Sequence, residues 1–345
     1  MKVIHIPDTI EINDDIRSLT SVVCHSLSDV PDIIDTWNEG KVVDIEGYYE
    51  NAKINRVYVD RVHVKKAFAE YTAAYNADDP KIKLKIDHTY RVAALCERIA
   101  KAAGMCAYDV ELAWLSGMLH DVGRFEQIKR YNTFSDADSV DHAKFGADLL
   151  FKDGLISTFL KGMVKCTGYK PGALEDRYDS DGVFLYDRLN KSDIEMLELA
   201  IRCHNMYRIP QGLNRREQAF CNVLRDADKV DIFKVNIDTP LEEIYNTTTE
   251  ELMKSDITDE VLEAFDEEHC ILKAIRRTPA DTVIGHVSLA YELVYDESVR
   301  ITVEQGYLAK LMHFNSDNEE TNRKMAMVRE KMDSYVKKRI GEKDA

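Results

Sequence analysis

The chain has 345 residues, 45% hydrophobic and 31% charged, with 46 Lys and Arg against 62 Asp and Glu and a formal net charge of −16. This is globular composition, long enough for one large domain or two smaller ones. The acidity argues against a nucleic-acid binder that works through a basic face, although a short cluster, Lys337-Lys338-Arg339, is present; solubility is its plain reading.

Only 7 Pro and 15 Gly interrupt the chain, and its Leu, Ala, Glu and Lys favour helix. The seven cysteines are scattered, with no CxxC pair, so they read as buried thiols of a reducing compartment, with no disulfide framework. The N-terminus, MKVIHIPDTIEINDD, meets acidic residues too early for a signal peptide. No run approaches the roughly 20 apolar residues of a membrane span. A cytoplasmic location without a membrane partner is expected.

Residues 1–60 are the least regular; VIHI and RVYV read as short strands or an extended arm. From Val62 the period is helical. A helix from His88 to about Ala103 puts Val92, Leu95, Cys96 and Ile99 on one stripe, with His88 at its inward-facing start and Gly104 as its stop. Asp109 is placed to cap the next helix, VELAWLSGMLHDVGRF, which is apolar nearly all round as in a buried central helix. Beside His120, the small residues Ala113, Ser116 and Gly117 leave room for a neighbouring helix or a ligand. The polar loop from Tyr131 to Asp141 reads either as a lid or as a solvated connection. A helix starts near His142 and stops at Gly154. Ser192 and Glu195 form a capping-box pattern for a helix carrying Leu197, Ile201 and His204, ended by Pro210 and Gly212. Asn214 to Asn236 is a further helix with Phe220, Leu224 and Ala227 inward. After Pro240 come about four more helices, one starting at Pro279 and Asp281, the last following Asn315 to Asn318.

Chemistry concentrates in LSGMLHDVGRF. A His-Asp pair in an apolar helix costs several kcal/mol unless something satisfies it, and a divalent cation does so through neutral imidazole and ionised carboxylate. Alone, such a pair is more often a hydrogen-bonded His beside a surface Asp. Here His88 opens an amphipathic helix upstream, and RDADKVDIF sets acidic residues into an apolar helix downstream. Periodicity leaves Asp226 and Asp228 equally placed. There is no GxxxxGK[ST], no convincing GxGxxG and no GxSxG, which disfavours kinase-like and serine-hydrolase mechanisms.

HTYRVAALCERIA, LSGMLHDVGRFEQ and NVLRDADKVDIF resemble the three signature segments of HD-superfamily phosphohydrolases. The resemblance covers roughly residues 61–236. It implies an all-α fold: an orthogonal helical core at 61–236, a helical C-terminal extension at 237–345, and a short irregular or β arm at 1–60. It implies His88, His120 and Asp121 as ligands of a divalent metal, and favours Asp228 over Asp226 as the fourth. DHAKFGADLL and LAIRCHN resemble the segments that add His142 and His204 around a second metal bridged by Asp121. The chain departs from family branches that have paired histidines where it has His204-Asn205. One or two ions are expected, Fe or Mn favoured, with Mg, Ni and Zn open.

The implied activity is metal-dependent hydrolysis of a nucleotide or other small phosphoester by metal-activated water, with Asp121 also orienting that water. Arg124 and Arg91 are candidate phosphate partners, each with a salt bridge as the plainer role; Lys144 and Lys229 are weaker candidates. A mixed-valent di-iron oxygenase of the same fold and a non-catalytic metal-stabilised binding module are the alternatives. The expected partner is a small phosphorylated, nucleotide-like molecule; a homo-oligomer stays open.

Overall fold

The computed structural model describes residues 4–5, 22–23, 59–76, 78–160, 191–245 and 247–341. In the N-terminal arm, β1 (Ile4–His5) and β2 (Val22–Val23) pair in parallel, Ile4 opposite Val22. β1 lies within VIHI, whereas Arg56–Tyr58 of RVYV fall outside the described residues. The other described elements are helical, as the composition leads one to expect.

The first helix, α1 (Arg61–Thr72), is capped by Asp60, whose carboxylate accepts from the Val62 and His63 amides. α2 (Pro80–Ala102) starts eight residues ahead of His88, with Asp79 as cap and Pro80 in the first turn. His88 therefore lies in the interior of the helix, not at its start. Gly104 follows its end at φ +74, a left-handed conformation that glycine adopts without strain.

The segment read as one helix around His-Asp is two: α3 (Ala107–Leu119) and α4 (Val122–Tyr131). The break falls on the pair, since Asp121 has φ −107 and ψ 15, outside the helical region. Asp109 is not the cap of α3. That position is held by Cys106, and Asp109 in the first turn accepts from Arg216 at 2.7 Å. α3 is the buried centre: Leu112, Ala113, Leu115, Met118 and Leu119 are all fully inside.

Small residues set the approach of the helices. A Cβ on Gly117 would stand 2.6 Å from the Ala93 Cα, so α2 and α3 touch backbone to backbone. The space beside His120 is thus taken by a helix. A Cβ on Gly123 would stand 2.4 Å from the His142 carbonyl oxygen, so α4 lies equally close to α5 (His142–Ala147).

α5 runs into a π-helical turn at Asp148–Lys152, with Gly154 at φ +82 beyond it, then α6 (Ile156–Leu160). α7 (Lys191–Cys203) already contains Ser192, so the capping box read there does not sit at the helix start; the helix also stops at Cys203, ahead of Pro210. α8 (Arg215–Asp238) has a true capping box, Asn214 with Glu217.

The extension holds more and shorter helices than the four expected: α9 (Leu241–Tyr245), α10 (Thr249–Lys254), α11 (Asp259–Asp266), α12 (Pro279–Val287), α13 (Asp296–Gln305), α14 (Tyr307–Met312) and α15 (Glu319–Ile340). α12 starts as read, with Pro279 at its first turn and Thr278 and Asp281 as a capping box. α15 ends in the basic turn Lys337-Lys338-Arg339, which suits a helix C-terminus. α13 and α14 pack on α8. Arg98 of α2 reaches Glu297 and Glu304 of α13 at 2.7 Å each. The buried apolar side chains form one continuous cluster from Val59 to Ile340.

Among the described residues no helix is long and apolar enough to cross a membrane. The described cysteines Cys96, Cys106, Cys203, Cys221 and Cys270 are free thiols.

Candidate metal centre

The close backbone contacts bring five points of the fold together: α2, the α3–α4 break, the start of α5, the residue after α7, and α8. They carry His88, His120-Asp121, His142, His204 and Asp228. The four histidines are at most 4% exposed and Asp121 is 2% exposed.

Each imidazole has its tautomer set from behind. His88 Nδ1 donates to Asp231 Oδ2 at 2.6 Å, His120 Nδ1 to the Gly117 carbonyl at 2.7 Å, His142 Nδ1 to Asp136 Oδ2 at 2.7 Å, and His204 Nδ1 to the Ile201 carbonyl at 2.7 Å. All four partners can only accept, so Nδ1 carries a proton, and wherever the ring is neutral its lone pair is at Nε2. Those four Nε2 atoms face inward. His88 and His120 Nε2 are 3.3 Å apart, and His142 and His204 Nε2 are 3.0 Å apart.

The carboxylates stand between them. Asp121 Oδ2 is 3.5 Å from both His88 and His120 Nε2, while Asp121 Oδ1 is 3.5 Å from His142 and 3.8 Å from His204 Nε2. Asp228 Oδ1 lies 3.2 Å from His88 Nε2 and 3.9 Å from His120 Nε2. Asp121 thus shows one oxygen to each pair of imidazoles. The break after His120 permits this, since successive side chains of an unbroken helix point about 100° apart.

The electrostatics favour the neutral ligand form at three of the four imidazoles; at His88 burial and Lys85 push downward, but Asp228 and Asp231 outweigh them and hold the ring above its ordinary value. Burial first, then Arg124, pushes His142 down to about 4; burial and His120 push His204 down to about 4. Burial also lowers His120. Burial pushes Asp121 up, but Lys85 and the facing imidazoles outweigh it and hold the carboxyl well below its usual range. Neutral imidazoles crowding lone pair to lone pair around ionised carboxylates repel unless a cation lies between them. This nitrogen and oxygen donor set suits Fe, Mn, Zn or Ni. Among the described residues three groups have ligand atoms all within 4.8 Å of one another: His88, His120 and Asp228; His120, Asp121 and His204; and Asp136, Asp141 and His142.

Asp226 faces the other way. Its carboxylate accepts from the Val294 and Tyr295 amides and from Ser298 Oγ at 2.7 Å. Arg91 is placed on Asp231, Nε to Oδ1 at 2.6 Å and Nη2 to Oδ2 at 2.9 Å, and so braces the carboxylate behind His88. Arg124 is at the cluster: its Nε is 3.8 Å from Asp121 Oδ1. Lys144 pairs with Asp141 at 2.8 Å. Burial and Arg225 lower the Lys229 ammonium.

The loop from Tyr131 to Asp141 is tied down at the site. The Phe134 carbonyl and Asp136 Oδ1 accept from Arg124 Nη1, and Asp136 also holds His142 and the buried Gln127. Three residues at the cluster are absent from the sequence reading: Asp231, Asp136 and Lys85, whose Nζ is 2.7 Å from Asp121 Oδ2.

A cluster of histidines and aspartates inside a helical core defines the class of protein. The HD domain family model matches residues 86–236; HD domains are typical of metal-dependent phosphohydrolases and bind divalent metals. No curated protein and no solved structure matches the chain.

Proposed function

We propose that the chain is a metal-dependent phosphohydrolase acting on a nucleotide or other small phosphoester. The observation that carries this is the convergence of four imidazole Nε2 atoms on the two oxygens of Asp121. In this reading His88, His120, Asp121 and Asp228 hold one divalent cation, and Asp121, His142 and His204 hold a second. When bound, the cations supply an activated water and neutralise charge on the phosphoryl oxygens.

The chain's own groups bind and orient. Asp231 and Asp136 fix the proton of His88 and His142 on Nδ1, which keeps Nε2 free. Arg124 Nη1 is anchored by Gln127, the Phe134 carbonyl and Asp136. Among the described residues its buried Nε has no hydrogen-bond partner and Nη2 has none. The Nε–Nη2 edge, which grips oxyanions in bidentate fashion, is therefore free beside Asp121. Residues 61–236 form the catalytic core in this reading, and 237–345 pack on it.

The test is elemental analysis of protein purified without added metal or chelator, beside Asp121→Ala. About two metals per chain are expected, lost in the variant together with phosphoester turnover. Turnover retained in Asp121→Ala overturns the assignment. Turnover that requires dioxygen identifies a di-iron oxygenase instead, and metal without turnover a binding module.

A further inference from the structure

Asp121 is flanked by two cations from different helices. Lys85 stands one turn before His88 on α2; its ammonium is 2.7 Å from Asp121 Oδ2, and among the described residues Asp121 is its one hydrogen-bond partner. Arg124 approaches from α4, its Nε 3.8 Å from Oδ1. Both lie over the ring of Phe134, the Lys85 Nζ at 5.4 Å and the Arg124 Cζ at 5.6 Å from its centre. Lys85 and Arg124 side chains are 17% and 14% exposed, so each is mostly withdrawn from water yet not sealed off.

Asp136 answers Arg124 at Nη1, 3.0 Å away, which leaves Asp121 as the one carboxylate facing both Lys85 and the Nε edge of Arg124. The same Asp121 oxygens face four imidazoles and, in the reading above, serve as metal ligands. Neither Lys85 nor the free edge of Arg124 has another anion among the described residues. Nη1 of Arg124 is spent on three acceptors, which fixes the plane of the guanidinium before anything binds. Lys85 is a compact point charge on a flexible stem, and Arg124 a rigid fork. Together they complement a tetrahedral oxyanion carrying two charges better than one carrying a single charge.

We propose that Lys85 and Arg124 form a two-cation clamp beneath Phe134 that grips the terminal phosphate of a phosphomonoester, with Lys85 a substrate-binding residue of this site. The proposal rests on the phosphohydrolase reading for its substrate, and on the geometry around Asp121 for its residues. A phosphodiester offers a single negative charge, and so engages one arm of the clamp.

The experiment compares the parent with Lys85→Met, which keeps the length of the stem, and Lys85→Arg, which keeps the charge. Each is loaded with Mn, its metal content measured, and inorganic phosphate titrated in by calorimetry. The expected result is an unchanged metal content in all three proteins. Phosphate should bind at least about tenfold more weakly to Lys85→Met, as loss of a charge-assisted hydrogen bond entails, and Lys85→Arg should recover part of the loss. Equal phosphate affinity in parent and Lys85→Met overturns the clamp, as does a parent that holds metal but binds no phosphate. Loss of metal in Lys85→Met with an unchanged melting temperature also overturns it, since Lys85 would then only support Asp121. Phosphate binding that depends on Lys85, in a protein that turns over no phosphoester, sinks the phosphohydrolase reading and leaves the clamp standing.

Discussion

Helix α8 carries a buried acidic group on each of two sides, and the two are used in opposite ways. On one side Asp228 and Asp231 face imidazoles; on the other Asp226 faces the extension. Asp226 is supplied with donors, two backbone amides and a hydroxyl, and nothing further is needed to satisfy it. Asp228 meets the Nε2 atoms of His88 and His120; burial keeps His120 low, whereas His88 is held above its ordinary value by Asp228 and Asp231 against burial. Burial alone does not mark a binding site. The sign is acceptors turned toward acceptors, a polar pocket that its own residues cannot complete.

The sharpest way to break this comparison is to truncate each carboxylate in turn. Asp228→Ala should lose metal and turnover while the metal-free protein melts close to the parent. Asp226→Ala leaves the part-buried Val294 and Tyr295 amides and the buried Ser298 hydroxyl without their acceptor, and should destabilise the fold by about 1–3 kcal/mol with metal content intact. Elemental analysis and urea unfolding read both; equal metal loss in the two variants ends the distinction. A smaller effect belongs to Asp231→Asn, which loosens both Arg91 and the His88 tautomer. Metal affinity should fall ~10–100-fold, measured by competition with a chelator, and an unchanged affinity would remove Asp231 from the site.

The smallest effect tests a buried histidine outside the cluster. Burial first, then Arg276 and Lys273, pushes His286 down to about 3, and among the described residues its Nδ1 has no hydrogen-bond partner. The folded state therefore keeps it neutral, while the unfolded chain takes up a proton near the ordinary value of about 6.5. Its contribution to stability is present above that value and lost as pH falls toward the folded one. Between pH 7 and 5.5 the loss is about 1 kcal/mol. His286→Leu should flatten the pH dependence of urea unfolding by that amount, and an unchanged slope would count against a neutral buried imidazole there.

The helical class is legible in the sequence, and the resemblance to HD proteins names His88, His120, Asp121, His142, His204 and Asp228, with Asp228 preferred over Asp226 by that resemblance alone. Each lies on or next to a stripe of apolar residues, and a helix stripe points inward. The break at His120-Asp121 is not legible, because the apolar period runs on through it; Asp121, Val122 and Gly123 are weak helix formers, but the close approach of Gly123 to the His142 carbonyl is a tertiary contact. Lys85 and Asp231 escape notice for the opposite reason: a charge one turn from a ligand on an amphipathic helix reads as solvated. Asp136 sits in a polar loop, where spacing carries no information about what the chain folds back onto. The many short helices of the extension are hidden because their ends are set by caps such as Thr248 and Thr278 rather than by periodicity.

Asp226, Asp228 and Asp231 lie within two turns of one helix, and that proximity couples events far apart in the chain. The amides of Val294 and Tyr295 point at Asp226, so the extension cannot lift away from that stretch of α8 without disturbing the backbone that aims Asp228. Whatever free energy a bound cation contributes through Asp228 is then added to the work of opening the extension. Were a cation held at Asp228, the exchange of those two amide protons with solvent would slow with its occupancy, read out in a part of the chain away from the site.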